Sequence, residues 1–376
     1  MSGRPELWIP GPTEVRAEIL AELARPMIGH RTAEMEATIA SLDPGLRALF
    51  GAEEDHEVAV HSVTATGLME LGLRAVGPRV LCVVNGSFSR RFAEVARALG
   101  KEVEVVETPL GTGADLQAAR ERLGAGEPFD AVTVCASETS SGVLTAPSEI
   151  GALLTPEARR GAWLLVDAVT LLGAGPLDVG RNGIDLALAG TQKALALPPG
   201  LGLFAVSRAM LEAAPKGGSY FLDARRIVET HRARKPPMTP TIPLLRALEA
   251  QLSAIADGEL EARLDPDGPP AATGWERRFA RHAAMSARTR RFAAETEGVR
   301  VFGADGVATS PAVTALEVDG RSVPDLLTGM ADDGFRIGAG YGELKTSCVR
   351  IGHMGDHRPA RLEALLERLA ARLQRG

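Results

Sequence analysis

The sequence predicts an α/β protein, with a large domain on a mainly parallel sheet and a smaller C-terminal α+β domain. Three observations carry that reading. Between about residues 55 and 210, short apolar runs without in–out alternation take turns with amphipathic stretches of helical period. That is the pattern of strands buried on both faces by crossover helices. A mass of 39.5 kDa leaves room for more than one core. After Pro236-Pro237 the rhythm changes to longer helices and sparser strand-like runs.

The elements follow in order. Val80–Val84 is a run of buried-strand type, closed by Asn85-Gly86, and Phe88–Leu99 is the arginine-bearing amphipathic helix after it. Val103–Val106 precedes a helix at Leu116–Leu123. Ala131–Cys135 and Trp163–Val166 each end in polar residues, and Leu186–Ala189 and Leu203–Val206 close the series. A helix is expected over Ile242–Ala256, then a Pro/Gly/Asp-rich stretch, 262–274, that reads as an inserted surface loop or, more sharply, a lid. Beyond it come a helix (Glu276–Glu297), strands at Val299–Phe302 and Ala312–Val318, a helix from Val323, a strand at Val349–Ile351 and a terminal helix. The expected division is an N-terminal segment (1–20) packing near the active site, a large domain (21–255) and a small one (256–376).

A net charge of −6 argues against a nucleic-acid surface. No run approaches a membrane span, and Met1 to Trp8 lacks the apolar core of a secretory leader. Cys82, Cys135 and Cys348 are too few and too scattered for a disulfide framework or a zinc site. The expectation is a reduced, cytoplasmic setting. The histidines show no ligand spacing, so no metal is expected.

Positive charge comes almost wholly from arginine; the only lysines are Lys101, Lys193, Lys216, Lys235 and Lys345. Lys193 stands in Gly190-Thr191-Gln192-Lys193, past an apolar run and ahead of Pro198-Pro199-Gly200-Leu201-Gly202. An amine can lose its proton and form a Schiff base, which a guanidinium effectively cannot. Two other strand ends carry polar groups: Asp167 closes Trp163–Val166, and Glu138-Thr139-Ser140-Ser141-Gly142 follows Ala131–Cys135. Ligands of such sheets gather at the carboxyl ends of strands. Pyridoxal 5′-phosphate would use all three kinds of group found here: a lysine for its aldehyde, a carboxylate for its ring nitrogen, and hydroxyls at a helix N-terminus for its phosphate. Thr64-Ala65-Thr66-Gly67, leading into an apolar helical stretch, supplies the last, although Thr and Gly also make ordinary caps.

With these residues the chain resembles the class V (fold type I) pyridoxal-phosphate aminotransferases of the alanine/serine–glyoxylate branch. The matching segments run in family order over nearly the whole chain. They include Ile9-Pro10-Gly11-Pro12-Thr13, Gly29-His30-Arg31, Asn85-Gly86-Ser87-Phe88, Thr191-Gln192-Lys193, Thr241-Ile242-Pro243 and Arg350-Ile351-Gly352-His353-Met354-Gly355. The resemblance implies a seven-stranded-type sheet and a homodimer with shared active sites. It implies transamination between a small L-amino acid, alanine or serine, and a small 2-oxo acid, glyoxylate or pyruvate. Lys193 would form the Schiff base and move the proton. Asp167 would hold the ring nitrogen, with Val169 and Phe88 on the two ring faces and Thr139 at the ring hydroxyl. Thr64, Ala65, Thr66 and Gln192 would hold the phosphate, joined by Thr241 reaching to the partner subunit's site. Arg350 would clamp the substrate α-carboxylate, a bidentate task suited to a planar guanidinium.

Met238 departs from the pattern, for relatives often carry a phosphate-binding tyrosine three residues before the threonine. Thr239 or a water is expected to substitute. Glu138 is read mainly as orienting its own loop and His353 as structural, while His30 could serve either substrate or scaffold. The rival readings are a 2-aminoethylphosphonate-type transaminase, a cysteine desulfurase or lyase that would need a loop thiolate from Cys348, a nucleotide-binding oxidoreductase lacking a proper glycine fingerprint, and a non-catalytic binding protein.

Overall fold

The computed structural model describes residues 3–215 and 218–374; Lys216 lies outside them. The strands are β1 (Glu6–Trp8), β2 (His56–His61), β3 (Arg79–Val84), β4 (Glu102–Glu107), β5 (Ala131–Cys135), β6 (Ser137–Glu138) and β7 (Val143–Leu144). They continue with β8 (Trp163–Asp167), β9 (Leu186–Gly190), β10 (Gly202–Ser207), β11 (Val299–Val301), β12 (Thr314–Val318), β13 (Phe335–Ala339) and β14 (Cys348–Ile351). Seven of them form one sheet in the order β2-β10-β9-β8-β5-β3-β4. Only β10 runs against the rest, so the mainly parallel α/β sheet expected from the sequence is present. Its strands, apart from the edge strand β4, are buried on both faces. Along β3, Leu81 and Val83 enter one core while Val80, Cys82 and Val84 enter the other, the alternation a pleated strand requires.

A second, five-stranded sheet has the order β1-β13-β14-β12-β11. Its edge strand β1 comes from the start of the chain and lies parallel to β13, Glu6 opposite Phe335 and Trp8 opposite Ile337. Trp8 is fully buried and stacks on His357 with ring centroids 3.8 Å apart. Gly352 N donates to Trp8 O at 2.7 Å, and a Cβ on Gly352 would lie 2.2 Å from Ile9 O. The opening residues are therefore tied closely to the second sheet.

The 262–274 stretch is only partly loop. A short helix, Glu259–Leu264, takes its first residues, and Thr273 at its far end caps the next helix, Gly274–Glu295. Thr273 Oγ1 accepts from Glu276 N at 3.1 Å while Glu276 returns a bond to Thr273 N, so the helix starts before the expected Glu276. Glu261 on the short helix is buried and pairs with both Arg278 and Arg281 of the long one. Arg278 also reaches Asp356 and the backbone carbonyl of Ala194, next to Lys193. Removing one member of such a cluster strands buried charge. Glu261→Gln is expected to destabilise the protein by about 3–5 kcal/mol, read as an earlier first transition in urea unfolding.

Candidate active site

Five parallel strands of the large sheet, β2, β9, β8, β5 and β3, deliver their carboxyl ends to one cleft of about 240 Å³. Asp167 is the last residue of β8, Lys193 lies three residues past β9, and Ser137 and Thr139 follow β5. The turn after β3 brings Phe88, and the segment after β2 brings Thr64, Ala65 and Thr66. Val169 and Gln192 complete the expected residues on the wall.

The Lys193 side chain is buried, and its ammonium donates to the carbonyl of Pro10. Its stem passes so close to Gly11 that a Cβ there would sit 2.7 Å from Cδ, and Gly11 has φ +97°; both facts demand glycine. Burial lowers the Lys193 pKa to about 8, assisted by the Arg350 charge and opposed by Asp167. Asp167 is buried too. Burial raises its pKa to about 7, against the hydrogen bond it accepts from Val169 N at 2.9 Å.

Thr64 is the N-cap of the helix Ala65–Arg74, its hydroxyl accepting from Gly67 N at 3.3 Å. The first amides of that helix have no intrahelical acceptor and carry the positive end of its dipole. Thr139 and Thr170 share a hydroxyl–hydroxyl hydrogen bond, and Thr139 O accepts from Arg350 Nη1 at 3.0 Å. Arg350 Nε is spent on Ala339 O at 2.8 Å, while Nη2 has no partner among the described residues. Burial lowers its pKa, partly offset by Tyr341 and Glu138. Arg350 thus stands at the rim, one residue's width from the cleft wall.

Phe88 is a wall residue rather than plain core. Its ring lies 5.6 Å from that of Tyr341, and the Arg91 guanidinium sits 4.7 Å from its centroid. Glu138 plays the orienting part expected of it, for its carboxylate accepts from Phe88 N, Ser89 N, Ser89 Oγ, Ser140 N and Ser140 Oγ. It therefore caps the helix Ser87–Ala98 that presents Phe88, and Gly86 must lack a Cβ to admit it. His353 is buried, bonds Thr314 Oγ1 at 2.8 Å and has its pKa lowered to about 3 by burial; it is neutral and structural. His30 does not line the cleft.

Of the expected residues, Arg350 and Thr241 do not line the cleft, and Thr241 makes no contact with its wall residues among the hydrogen bonds it forms. Its backbone N–H and hydroxyl both donate to Ser62 Oγ, at 3.0 and 2.9 Å, on an exposed surface. Met238 lies nearby, in a small hollow with His61 and Pro240. The wall also includes Gly11, Pro12, Met69, Arg91, Ser137 and Thr170, which sequence reasoning did not assign to it. Arg91 was findable, since it follows Phe88 by three residues and so shares its helix face.

The arrangement suits pyridoxal 5′-phosphate. A buried amine titrating near 8 and a buried acid titrating near 7 face one space, with a helix N-terminus at its edge. In cofactor-free protein the Asp167 shift has a sign that can be worked out. Its carboxyl is protonated more readily folded than unfolded, where the value is about 3.9. It therefore costs nothing below about pH 4, and the cost grows to about 4 kcal/mol above pH 7. Asp167→Asn is expected to raise the unfolding temperature of the cofactor-free protein at pH 8 and not at pH 4, while weakening cofactor retention. A stabilisation equal at both pH values would refute the shift.

Comparison with known proteins agrees with this geometry. Residues 17–265 match the family model "Aminotransferase class-V". The chain is 32% identical over 365 residues to the soluble hydrogenase 42 kDa subunit of Anabaena cylindrica, covering 94% of this chain and 89% of that protein. It is 30% identical over 376 residues to the serine–glyoxylate aminotransferase of Methylorubrum extorquens, covering 94% and 87%. Its fold superimposes on a subgroup IV aspartate aminotransferase from Thermus thermophilus with a TM-score of 0.85 and 28% identity, over 98% of this chain and 99% of the other. The buried lysine and aspartate thus sit on the fold type I scaffold, and the chain belongs to the class V aminotransferases, which work with pyridoxal 5′-phosphate.

Proposed function

We propose that this enzyme moves an amino group between a small L-amino acid, alanine or serine, and a small 2-oxo acid, glyoxylate or pyruvate. The observation that carries the reading is the pair of buried, oppositely shifted groups, Lys193 and Asp167, facing one cleft. The name of the Methylorubrum relative supports the choice of serine and glyoxylate. Bound in the cleft, the cofactor supplies an aldehyde that condenses with amines and a ring that accepts electrons.

The residues divide the work. Lys193, with its pKa near 8, is neutral often enough near neutral pH for Nζ to be the amine that would hold the aldehyde and to carry a proton as general base and acid. Asp167 would hold the ring-nitrogen proton through its carboxylate. Val169 and Phe88 would restrict the ring, and Thr139 would meet its hydroxyl. Thr64, Ala65, Thr66 and Gln192 would take the phosphate. Arg350 orients the substrate through its α-carboxylate, using the free Nη2. Thr241, exposed and outside its own chain's cleft, would serve the phosphate of a second subunit in a homodimer with shared sites. Residues 1–20 close the cleft, 21–255 hold the cofactor and 256–376 complete the substrate side. Three free, buried cysteines suit a cytoplasmic setting, and no helix among the described residues is long and apolar enough to cross a membrane.

The desulfurase reading finds no support at Cys348. It is buried within β14, and burial raises its pKa, the opposite of what a mobile thiolate needs. The test is the visible spectrum of the loaded protein during additions of L-alanine, L-serine, 2-aminoethylphosphonate and L-cysteine. The band should fall with alanine or serine and return with glyoxylate or pyruvate. A band that answers only to the phosphonate or to cysteine would overturn the substrate assignment.

A further inference from the structure

A second hollow, of about 570 Å³, lies between the turn after β8 and the helix Gly274–Glu295. It shares no wall residue with the catalytic cleft and is more than twice its size, within the range of small-molecule sites. Its lining is mostly apolar: Leu171 and Ala174 on one side, with Phe279, Ala280 and Ala283 along one face of the helix. Arg290 belongs to the same wall. Its guanidinium is half-buried and donates to Ser286 Oγ at 2.6 Å, and no acidic group among the described residues lies within ion-pair distance of it. Burial lowers its pKa with no neighbouring carboxylate to counter the loss. The single acid of the wall, Asp178, is turned toward Gly51, where its Oδ1 would stand 2.5 Å from an added Cβ.

Among the chain's buried arginines the usual solution is a carboxylate, as Arg159, Arg246, Arg278 and Arg281 all show. Arg290 stands half-buried beside an apolar hollow with that partner missing among the described residues. A guanidinium so placed gains most from an anion that brings its own hydrocarbon surface. We propose that this hollow binds a small amphipathic carboxylate, its acid group on Arg290 and its hydrocarbon tail against Leu171, Phe279 and Ala280.

The position gives such a ligand a hold on the catalytic cleft. Leu171 directly follows Thr170, so the turn that presents Asp167, Val169 and Thr170 to the cleft presents its next residue to the hollow. On the helix side, Ser286 Oγ donates to Ser310 O at 2.9 Å, and Ser310 Oγ accepts from Ser137 Oγ at 2.8 Å, with Ser137 in the cleft wall.

Calorimetric titration of the cofactor-loaded enzyme with octanoate tests the site, with octanol and acetate as probes of the charge and the tail. One octanoate per chain is expected, bound at least about tenfold more tightly than either, roughly the weight of one charge-assisted contact. Arg290→Gln should erase the preference for octanoate over octanol. Ala283→Trp, at an exposed wall position, should abolish binding of both while leaving turnover without octanoate unchanged. Undetectable octanoate binding, binding indifferent to both substitutions, or octanoate displaced by L-alanine and so seated at Arg350, would each overturn the proposal.

Discussion

Lys193→Ala is expected to abolish transamination, a loss of about five to six orders of magnitude in kcat by analogy with other covalent nucleophiles. The visible band of the loaded protein should vanish with it. The size follows from three features acting on one atom. Nζ is the only amine among the described residues of the cleft wall, its stem is threaded past Gly11, and its carbonyl partner at Pro10 fixes where it points. Lys193→Arg should fail equally, for it keeps charge and loses nucleophilicity. Loss of fold can be told from loss of chemistry. Burial depresses the Lys193 pKa to about 8, so its cost to folding is present below pH 8 and fades as pH rises toward about 10.4. The cofactor-free alanine variant should therefore melt no lower than its parent at pH 7. Transamination that persists in either variant would end the assignment.

Arg350→Ala is expected to lower kcat/KM for amino and oxo acids by roughly 10²–10⁴-fold, the effect of leaving a carboxylate unpaired in a desolvated place. Cofactor retention should change little, because Arg350 stands at the rim rather than in the wall. Arg350→Lys should recover only part of the loss, since an ammonium cannot keep Ala339 O and Thr139 O and still meet a carboxylate in a plane. Amines without an α-carboxylate, poor substrates to begin with, should be indifferent to the change. If they suffer as much as alanine, Arg350 acts on Thr139 and its loop instead of on substrate.

What the sequence reveals divides along physical lines. β3, β5, β8, β9 and β10 are legible because burial on both faces leaves nearly unbroken apolar runs. β2 hides behind His56, Glu57 and His61, polar residues that its neighbours bury all the same. β1 and β13 are short and half-exposed, and no local pattern says that they pair. The site followed the same rule. Asp167, Thr139 and Lys193 mark strand ends, where a polar residue after an apolar run is conspicuous. Pro10, Gly11, Arg91 and Thr170 become site residues only through tertiary approach. Glu138 shows the reverse, a carboxylate at a strand end whose partners are the amides of a helix in its own scaffold.

The tie between the first strand and the second sheet has a consequence for how the enzyme comes into being. His357 Nε2 meets Leu7 O across 350 positions of chain, and the ordering of so distant a pair comes late, after the local structure between them has formed. On the ribosome β1 emerges long before β13, the strand it pairs with. Since Pro10 and Gly11 set the position of the Lys193 amine, a nascent chain can hold its finished parallel sheet and still be catalytically silent. Activity is acquired in one late event, when β1 meets β13.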